Sequence, residues 1–151
     1  MIYITGDTHG LNDFNKIEQY FKNRYVSTKD YLIILGDAGF IWDNDTNALT
    51  KYKLLDITII FIDGNHENFD LLNEFPIITY LSARMHMISK NIYHVLRGEI
   101  MIINKKKFLC LGGACSIDKA YRINHLSFWE DEVIIDEDIN HNIMKSGGLI
   151  L

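Results

Sequence analysis

Cysteine is scarce in this sequence, which has two cysteines among 151 residues. Cys110 and Cys115 are too few to form a disulfide framework, and their spacing does not match the C-x-x-C pattern. We therefore expect two reduced thiols near the end of a strand, with structural burial favoured over metal binding or redox chemistry. The scarcity excludes a fold that depends on disulfide bonds.

Long hydrophobic runs and linkers are also absent. No segment reaches the ~18 apolar residues that a membrane-spanning helix requires, and residues 1–4 lack the basic region with which a signal peptide begins. The sequence shows no internal repeat or low-complexity tract, and it contains one proline, Pro76. These absences predict a cytoplasmic protein without a membrane segment, and the length predicts a single domain over residues 1–151.

Positive charge is also in short supply. The chain has 15 Lys and Arg residues against 20 Asp and Glu residues, which gives a formal net charge of −5. This balance argues against a protein whose main function is to grip the backbone of a nucleic acid. A nuclease is not excluded, because bound divalent cations would add positive charge at its site.

Three continuous apolar runs, each followed by a polar loop, organise the first half of the chain. The runs cover residues 2–4, 31–35 and 57–62, and predicted helices at 11–24 and 47–55 separate them. Continuous apolar strands separated by helices indicate a parallel sheet that is covered on both faces. Ligands of such sheets bind outside the carboxyl ends of the strands, where the three polar loops lie.

The second half has a different pattern. Short strands at 91–95, 99–104 and 107–111 are joined by tight connections that are typical of hairpins. These strands predict a second, antiparallel sheet. Beyond it the pattern weakens, and the acidic stretch 130–138 is expected to be exposed.

The three polar loops carry side chains that bind metal ions. The first loop contains Asp7 and His9 in D-x-H spacing, the second contains Asp37, and the third contains Asn65 and His66. Carboxylate and imidazole together suit Mn, Fe or Zn better than Ca. Each motif alone is a weak signal, but all three in order, each after an apolar strand, predict a metal centre.

The motifs G-D-x-H-G, G-D-x-G and G-N-H-E resemble the first three signature blocks of calcineurin-like metallophosphoesterases. The resemblance extends from residue 1 to about residue 130, and residues 111–118 are similar to a segment of a bacterial and phage branch of that family. It implies an α/β fold, a β-sandwich flanked by helices in αββα layers. It also implies a hydrolase of phosphomonoesters or phosphodiesters.

The resemblance implies a role for each loop residue. Asp7 and His9 would bind the first metal ion, and Asp37 would bridge both. Asn65 would bind the second metal ion through its amide oxygen. His66 would not be a ligand: it would lie beside the phosphate as the catalytic residue, stabilise its charge and protonate the leaving oxygen.

The resemblance also implies a cofactor and a surrounding shell. Two divalent metal ions, Mn or else Fe or Zn, would share a water molecule and lower its pKa. Glu67 or Asp63 would orient His66. Arg122 has two interpretations: it could bind the substrate phosphate with two hydrogen bonds, or it could form a surface ion pair with Asp118 or Glu130.

The resemblance is incomplete toward the C-terminus. The family normally continues with two further blocks that carry histidines, and neither is present here, so we expect a truncated fold with an incomplete second metal site. His125, His141 or a partner chain could complete that site. Missing strands would expose sheet edges, which favour homo-oligomers or partner chains. The alternative function is that of a non-catalytic, partly metallated protein that binds or regulates a partner.

Overall fold

The computed structural model of the protein describes residues 1–43 and 46–145. In chain order its strands are β1 (Ile2–Gly6), β2 (Tyr31–Leu35), β3 (Thr58–Ile62), β4 (Ile77–Tyr80), β5 (Ala83–Ser89), β6 (Ile92–Val95), β7 (Glu99–Ile103) and β8 (Lys106–Cys110). The α-helices are α1 (Phe14–Lys22), α2 (Asn47–Lys53), α3 (Phe69–Leu72) and α4 (Asp136–Lys145). Short 3-10 helices cover Lys119–Tyr121 and Glu130–Glu132.

The strands form two sheets. The larger sheet has the order β1-β2-β3-β6-β5-β4, and its first four strands in that order run parallel. Strand β5 is antiparallel to β6, and β4 is antiparallel to β5. Strands β7 and β8 form an antiparallel pair, which is the second sheet.

Both faces of the large sheet are covered, which explains why its central strands are apolar throughout. In β2, Leu32 and Ile34 lie in the core that α1 and α2 share with the sheet. The intervening Ile33 points to the opposite face and packs in a second core with Met101 and Ile103 of β7. Alternate residues therefore serve different cores, as in any sheet buried on both sides. The predicted α/β fold, a sheet flanked by helices, is confirmed.

The prediction that the strand at residues 91–95 belongs to the second, antiparallel sheet was wrong. Strand β6 lies in the large sheet, parallel to β3, with Ile59 opposite Ile92 and Phe61 opposite His94. Three of its four residues are buried, so the strand needs cover on both faces, which the two-stranded sheet could not supply. The hairpin predicted from the next two strands is confirmed as β7 and β8. Its turn places Asn104 and Lys105 at φ values of 51° and 66°, as a type I′ hairpin turn requires.

Strands β4 and β5 had no clear sequence signal. In β5 the alternation of apolar and polar residues is masked, because the buried positions include His86 at 3% exposure and the exposed ones include Met87.

The expected burial of the two cysteines is found for one of them. Cys110 is buried, and burial raises the pKa of its thiol to about 11, whereas Cys115 is exposed. Among the described residues, no helix is long and apolar enough to cross a membrane.

The segment after β8 crosses the carboxyl end of β3. The amide of Gly113 donates to the Asp63 carbonyl at 3.0 Å, and that of Ala114 donates to the Glu132 carbonyl at 2.8 Å. The expectation that residues 130–138 are exposed is therefore wrong at Glu132, which is 0% exposed. The burial of this carboxylate is tolerated because both of its oxygens accept hydrogen bonds from Ser116.

Candidate metal centre

The loops that follow β1 and β2 are joined by backbone hydrogen bonds. The amide of Asp7 donates to the carbonyl of residue 36 at 3.1 Å, and the amide of His9 donates to the Asp37 carbonyl at 2.9 Å. These contacts arise because β1 and β2 are parallel neighbours, so their carboxyl ends stop side by side. The first and second motifs therefore form one continuous backbone surface.

Three of the motif residues have a left-handed backbone. The φ angles are 51° at Asp7, 43° at His9 and 49° at Asp37. This conformation is uncommon for residues other than glycine, and each instance costs on the order of 1–3 kcal/mol. Such strain concentrates at functional sites, where the surrounding structure holds the side chains in one orientation.

The third loop meets Asp37 through a glycine. A Cβ atom at Gly64 would collide with Oδ1 of Asp37, so a larger residue would displace the carboxylate. That oxygen accepts a hydrogen bond from the backbone amide of His66 at 2.9 Å. All three loops thus converge on the Asp37 side chain, which is 9% exposed.

His9, Asp37 and His66 form a compact group of ligand atoms that all lie within 4.8 Å of one another. Oδ2 of Asp37 is 3.0 Å from Nδ1 of His66 and 3.8 Å from Nε2 of His9. One carboxylate and two imidazoles at this separation suit a cation of the Mn, Fe or Zn type. The structure thus brings His66 into a metal-sized cluster, although the sequence predicted a catalytic role for it and not ligation.

Asp7 borders this cluster without joining it, and Asn65 lies beside it, with Nδ2 3.2 Å from Nδ1 of His66. Oδ1 of Asp7 lies 4.0 Å from Nε2 of His9, and the Asp7 side chain is 80% exposed. Both residues line, together with Asp37, a cavity of about 430 Å³. The cavity places two further oxygen-bearing side chains beside the Asp37 carboxylate. The assignment of each ligand to a particular metal ion stays a prediction.

The hydrogen bonds of His66 indicate the tautomer of its neutral ring. Nδ1 faces Oδ2 of Asp37, which only accepts when ionised, and Nε2 lies 3.1 Å from Nη2 of Arg122, which only donates. The proton of a neutral His66 is therefore assigned to Nδ1, and Nε2 accepts from Arg122. His66 is held from both sides.

The ion-pair interpretation of Arg122 is confirmed with Asp118, and its role toward a substrate phosphate stays a prediction. Its Nε atom pairs with Oδ1 of Asp118 at 2.7 Å, and its Nη1 atom donates to the Ser127 carbonyl at 3.0 Å. The remaining Nη2 atom faces His66. Asp118 thus fixes the guanidinium, and the pKa of that carboxyl is lowered chiefly by its hydrogen bond with Arg122. The alternative pairing with Glu130 is not among the contacts of the described residues.

The prediction that Asp63 or Glu67 orients His66 needs correction. Asp63 pairs with Nε2 of His94 at 3.2 Å and with Nε of Arg97 at 2.7 Å. Burial alone would raise the pKa of Asp63, but His94 and Arg97 outweigh it and lower that pKa. Within the described residues neither carboxylate bonds to His66, and the one that does is Asp37.

Glu67 instead supports the second loop. Its Oε1 atom accepts a hydrogen bond from the Ala38 amide at 2.8 Å, and its side chain is buried, at 1% exposure. Burial raises the pKa of Glu67 well above the usual range for a glutamate. The residue therefore ties the third motif to the second, one position beyond Asp37.

The remaining histidines lie in other pairs. His125 Nδ1 is 2.9 Å from Asp70, and His141 Nε2 is 3.2 Å from Glu99. Neither belongs to the ligand cluster, so the idea that one of them completes a second metal site finds no support in the described residues. His94 is buried within β6, as expected for a structural histidine.

Sequence reasoning missed Trp42, Ser116 and Glu132. Trp42 lines a cavity of about 320 Å³ beside His9 and His66, and Ser116 contacts Asn65. An aromatic residue five positions after Asp37 was a signal that could have been weighed. Ser116 lies in the segment 111–118 that resembles the family, but no role was assigned to it, and Glu132 gave no signal; the positions of both depend on contacts across the fold.

Comparison with protein families agrees with this geometry. The sequence model of the calcineurin-like phosphoesterases matches residues 1–147. The chain therefore belongs to the calcineurin-like phosphoesterase family. Searches of curated proteins and of solved structures found no match. Membership of the family suggests metal-dependent phosphoester hydrolysis, and the His9, Asp37 and His66 cluster agrees with metal binding.

Proposed function

We propose that this chain hydrolyses a phosphomonoester or a phosphodiester at a centre of two divalent metal ions. The observation that carries the proposal is the convergence of three strand-end loops on Asp37, with His9 and His66 beside its carboxylate. Asp7 and Asn65 face the adjoining cavity. Mn is the metal we expect, and Fe or Zn would suit the same ligands.

The metal ions, when bound, would lower the pKa of a water molecule and neutralise phosphate charge. Asp7, His9 and Asp37 are the proposed ligands of the first ion, and Asp37 and Asn65 those of the second. The strained backbone of the first three positions supports this role, because it holds their side chains in place before a ligand arrives.

His66 and Arg122 are the proposed groups that contact the phosphate. Their 3.1 Å separation lets both reach one phosphate oxygen. Arg122 would donate to it from the guanidinium edge, which Asp118 orients. His66, held through Nδ1 by Asp37, would in its doubly protonated form stabilise charge on the phosphate and donate the Nε2 proton to the leaving oxygen, while Nδ1 keeps its proton toward Asp37.

The cavity beside His9 and His66 is the proposed place for the rest of the substrate. Leu11, Trp42 and Ala48 contribute its walls, and a volume of about 320 Å³ is at the lower end of the range for small-molecule sites. A phosphate bound at His66 would direct its organic substituent along Trp42.

A non-catalytic, partner-binding role is the second candidate. It is supported by the pairing of His125 and His141 with carboxylates outside the cluster. Exposed apolar side chains at the edges of both sheets, such as Ile4 at 60% and Leu109 at 52% exposure, are surfaces on which another chain could pair. Light scattering after size exclusion would show whether the chain forms an oligomer.

Metal content and hydrolysis test the main proposal together. Purified chain is reconstituted with Mn²⁺, analysed for bound metal, and assayed with an aryl phosphomonoester and an aryl phosphodiester. Two Mn per chain with turnover, both lost in Asp37→Asn, is the expected result. Asp56→Asn is the matched control, because Asp56 is exposed at the opposite end of β3. No bound metal and no turnover would favour the partner-binding role.

A further inference from the structure

A chain of hydrogen bonds lies behind Asn65. Its amide nitrogen is 3.1 Å from the Ser116 hydroxyl oxygen, which is 2.9 Å from Oε2 of Glu132. The backbone N–H of Ser116 donates to Oε1 of the same carboxylate at 2.8 Å. Ser116 is 5% exposed and Glu132 is 0% exposed. A fully buried carboxylate is thus connected through one serine to a proposed metal ligand.

The carboxylate decides the direction of these hydrogen bonds. An ionised carboxylate only accepts, so the single hydroxyl proton of Ser116 is donated to Glu132. The serine oxygen can then accept from an amide N–H group, but it has no proton left for an amide oxygen. Asn65 must therefore turn Nδ2 toward Ser116, which leaves Oδ1 on the opposite side of the amide. The positions of the amide nitrogen and oxygen of Asn65 are thus assigned from the hydrogen-bond network.

No other contact of the described residues fixes the amide in this orientation. Nδ1 of His66 is 3.2 Å from Nδ2 of Asn65, but its proton is directed to Asp37 at 3.0 Å. A protonated ring nitrogen offers no lone pair to the amide, so the two nitrogens are in contact without a hydrogen bond. Ser116 is the acceptor that remains.

We propose that Ser116 and Glu132 are positioning residues that present Oδ1 of Asn65 to the second metal ion. This inference rests on the proposed dinuclear function. The charge of Glu132 polarises the Ser116 hydroxyl, which becomes a stronger acceptor for the Asn65 N–H group and increases the negative charge on Oδ1. Outer hydrogen bonds of this kind typically change metal affinity by about 10-fold to 100-fold.

Four variants separate this role from a general structural one. Ser116→Ala removes the acceptor. Glu132→Gln places an N–H donor in the carboxylate position, which frees the hydroxyl proton of Ser116 to donate to Asn65 and reverses the chain. Ser116→Thr keeps the hydroxyl. Ser89→Ala is the matched control, because the Ser89 hydroxyl also donates to a side-chain oxygen, Oδ1 of Asn91 at 3.1 Å.

The measurement is the affinity of each Mn²⁺ ion, obtained by equilibrium dialysis with elemental analysis. Ser116→Ala and Glu132→Gln are expected to bind the second Mn²⁺ about 10-fold to 100-fold more weakly than the unmodified chain, with the first ion unaffected. Ser116→Thr and Ser89→Ala are expected to match the unmodified chain. In metal-free protein, the NMR signals of the Asn65 side-chain amide should shift in Ser116→Ala and not in Ser89→Ala.

Each contrary result has a different meaning. Two Mn²⁺ ions bound with unchanged affinity in Ser116→Ala and Glu132→Gln would overturn the positioning role and leave the proposed function intact. Fewer than two Mn²⁺ ions in the unmodified chain would overturn the dinuclear function, and the positioning role with it. Equal weakening of both ions in Ser116→Ala, with Glu132→Gln unaffected, would show a structural role only. Should Ser116→Ala fail to fold, Glu132→Gln and the threonine variant decide the same question.

Discussion

Two clusters of histidine and aspartate lie at the carboxyl ends of strands of the large sheet, and they differ in which groups neutralise the carboxylate. Asp37 follows β2 and is surrounded by the imidazoles of His9 and His66. Asp63 follows β3 and pairs with Arg97 as well as with His94. In the described structure, Asp37 has no arginine or lysine partner.

The clusters also differ in access. The side chains of His9 and His66 are 40% and 34% exposed, whereas those of His94 and Asp63 are 5% and 1% exposed. An arginine in a buried cluster supplies the positive charge permanently, and the pair becomes part of the core. Imidazoles in an open cluster leave the carboxylate available to an external cation. Histidine and aspartate therefore form a structural ion-pair group around Asp63, where an arginine is present, and a candidate ligand site around Asp37, where the partners are imidazoles.

We call Asp63, His94 and Arg97 the closed cluster, and His9, Asp37 and His66 the open cluster. The largest effect is expected from a substitution in the closed cluster. Asp63→Asn would leave the largely buried Arg97 beside a neutral amide, with Asp138 at 3.8 Å as its remaining carboxylate partner. The loss of one partner of a buried pair costs about 3–5 kcal/mol. Urea denaturation would measure the free energy of unfolding, with Asp56→Asn as the control for an exposed position. A loss below about 1 kcal/mol would mean that Arg97 finds another partner and that the closed cluster is not structural.

Acidification tests the same cluster through His86, whose Nδ1 lies 3.1 Å from Nδ1 of His94. Burial, and then His94, lower the pKa of His86 from 6.5 to about 4. The unfolded chain therefore binds the proton first as pH falls. The free energy of unfolding is therefore unaffected by His86 above pH 6.5 and falls by roughly 3 kcal/mol as the pH drops toward 4.

The comparison with His86→Phe isolates this contribution. The free energy of unfolding of the unmodified chain should fall more steeply between pH 6.5 and pH 4 than that of the variant. Parallel curves would show that His86 is protonated in the folded state at mildly acidic pH, and that the closed cluster tolerates charge.

Metal addition should stabilise the protein through the open cluster. Mn²⁺ at 100 times its dissociation constant adds about 2.7 kcal/mol to the free energy of unfolding, which corresponds to about 5–10 °C in Tm for a chain of this size. Asp37→Asn should abolish the increase and Asp63→Asn should retain it. An increase that survives in Asp37→Asn would place the metal elsewhere.

The smallest effect is expected at Arg122, the arginine beside the open cluster. Arg122→Lys keeps the charge but loses the planar fork that faces both Asp118 and His66. We expect kcat/KM to fall about 10-fold, the equivalent of ~1.4 kcal/mol. Arg24→Lys, at the far end of α1, is the control. Unchanged kcat/KM in Arg122→Lys would show that the arginine acts only as a point charge.

The candidate ligands could be predicted from the sequence because each is local to a strand end. Asp7, Asp37 and Asn65 all follow apolar runs within three residues, and parallel strands bring such ends together without further information. The α/β fold followed from the same runs. The residues around Asp37 could therefore be named from the sequence, although His66 was predicted to be catalytic and not to belong to a ligand cluster.

Other parts depended on contacts that no local pattern carries. Strand β6 pairs with β3 about thirty residues earlier in the chain, and its sequence resembles that of an antiparallel strand. Glu132 lies in an acidic stretch, and only the carboxylate contact with Ser116 shows that it is buried. The closed cluster was missed because Asp63 follows β3 and Arg97 follows β6, so that only the pairing of these two strands brings them together.

The order of these elements along the chain has a consequence for folding. All the proposed ligands lie between residues 7 and 66, whereas Ser116 and Glu132 come much later. The N-terminal residues of a chain are synthesised first, and β6 cannot join β3 until the intervening loop closes, which is slow. We therefore expect nascent chains to gain weak metal affinity early and full affinity only when residues 116–132 settle over the sheet. Metal present during refolding would then favour the parallel core before the rest of the fold is formed.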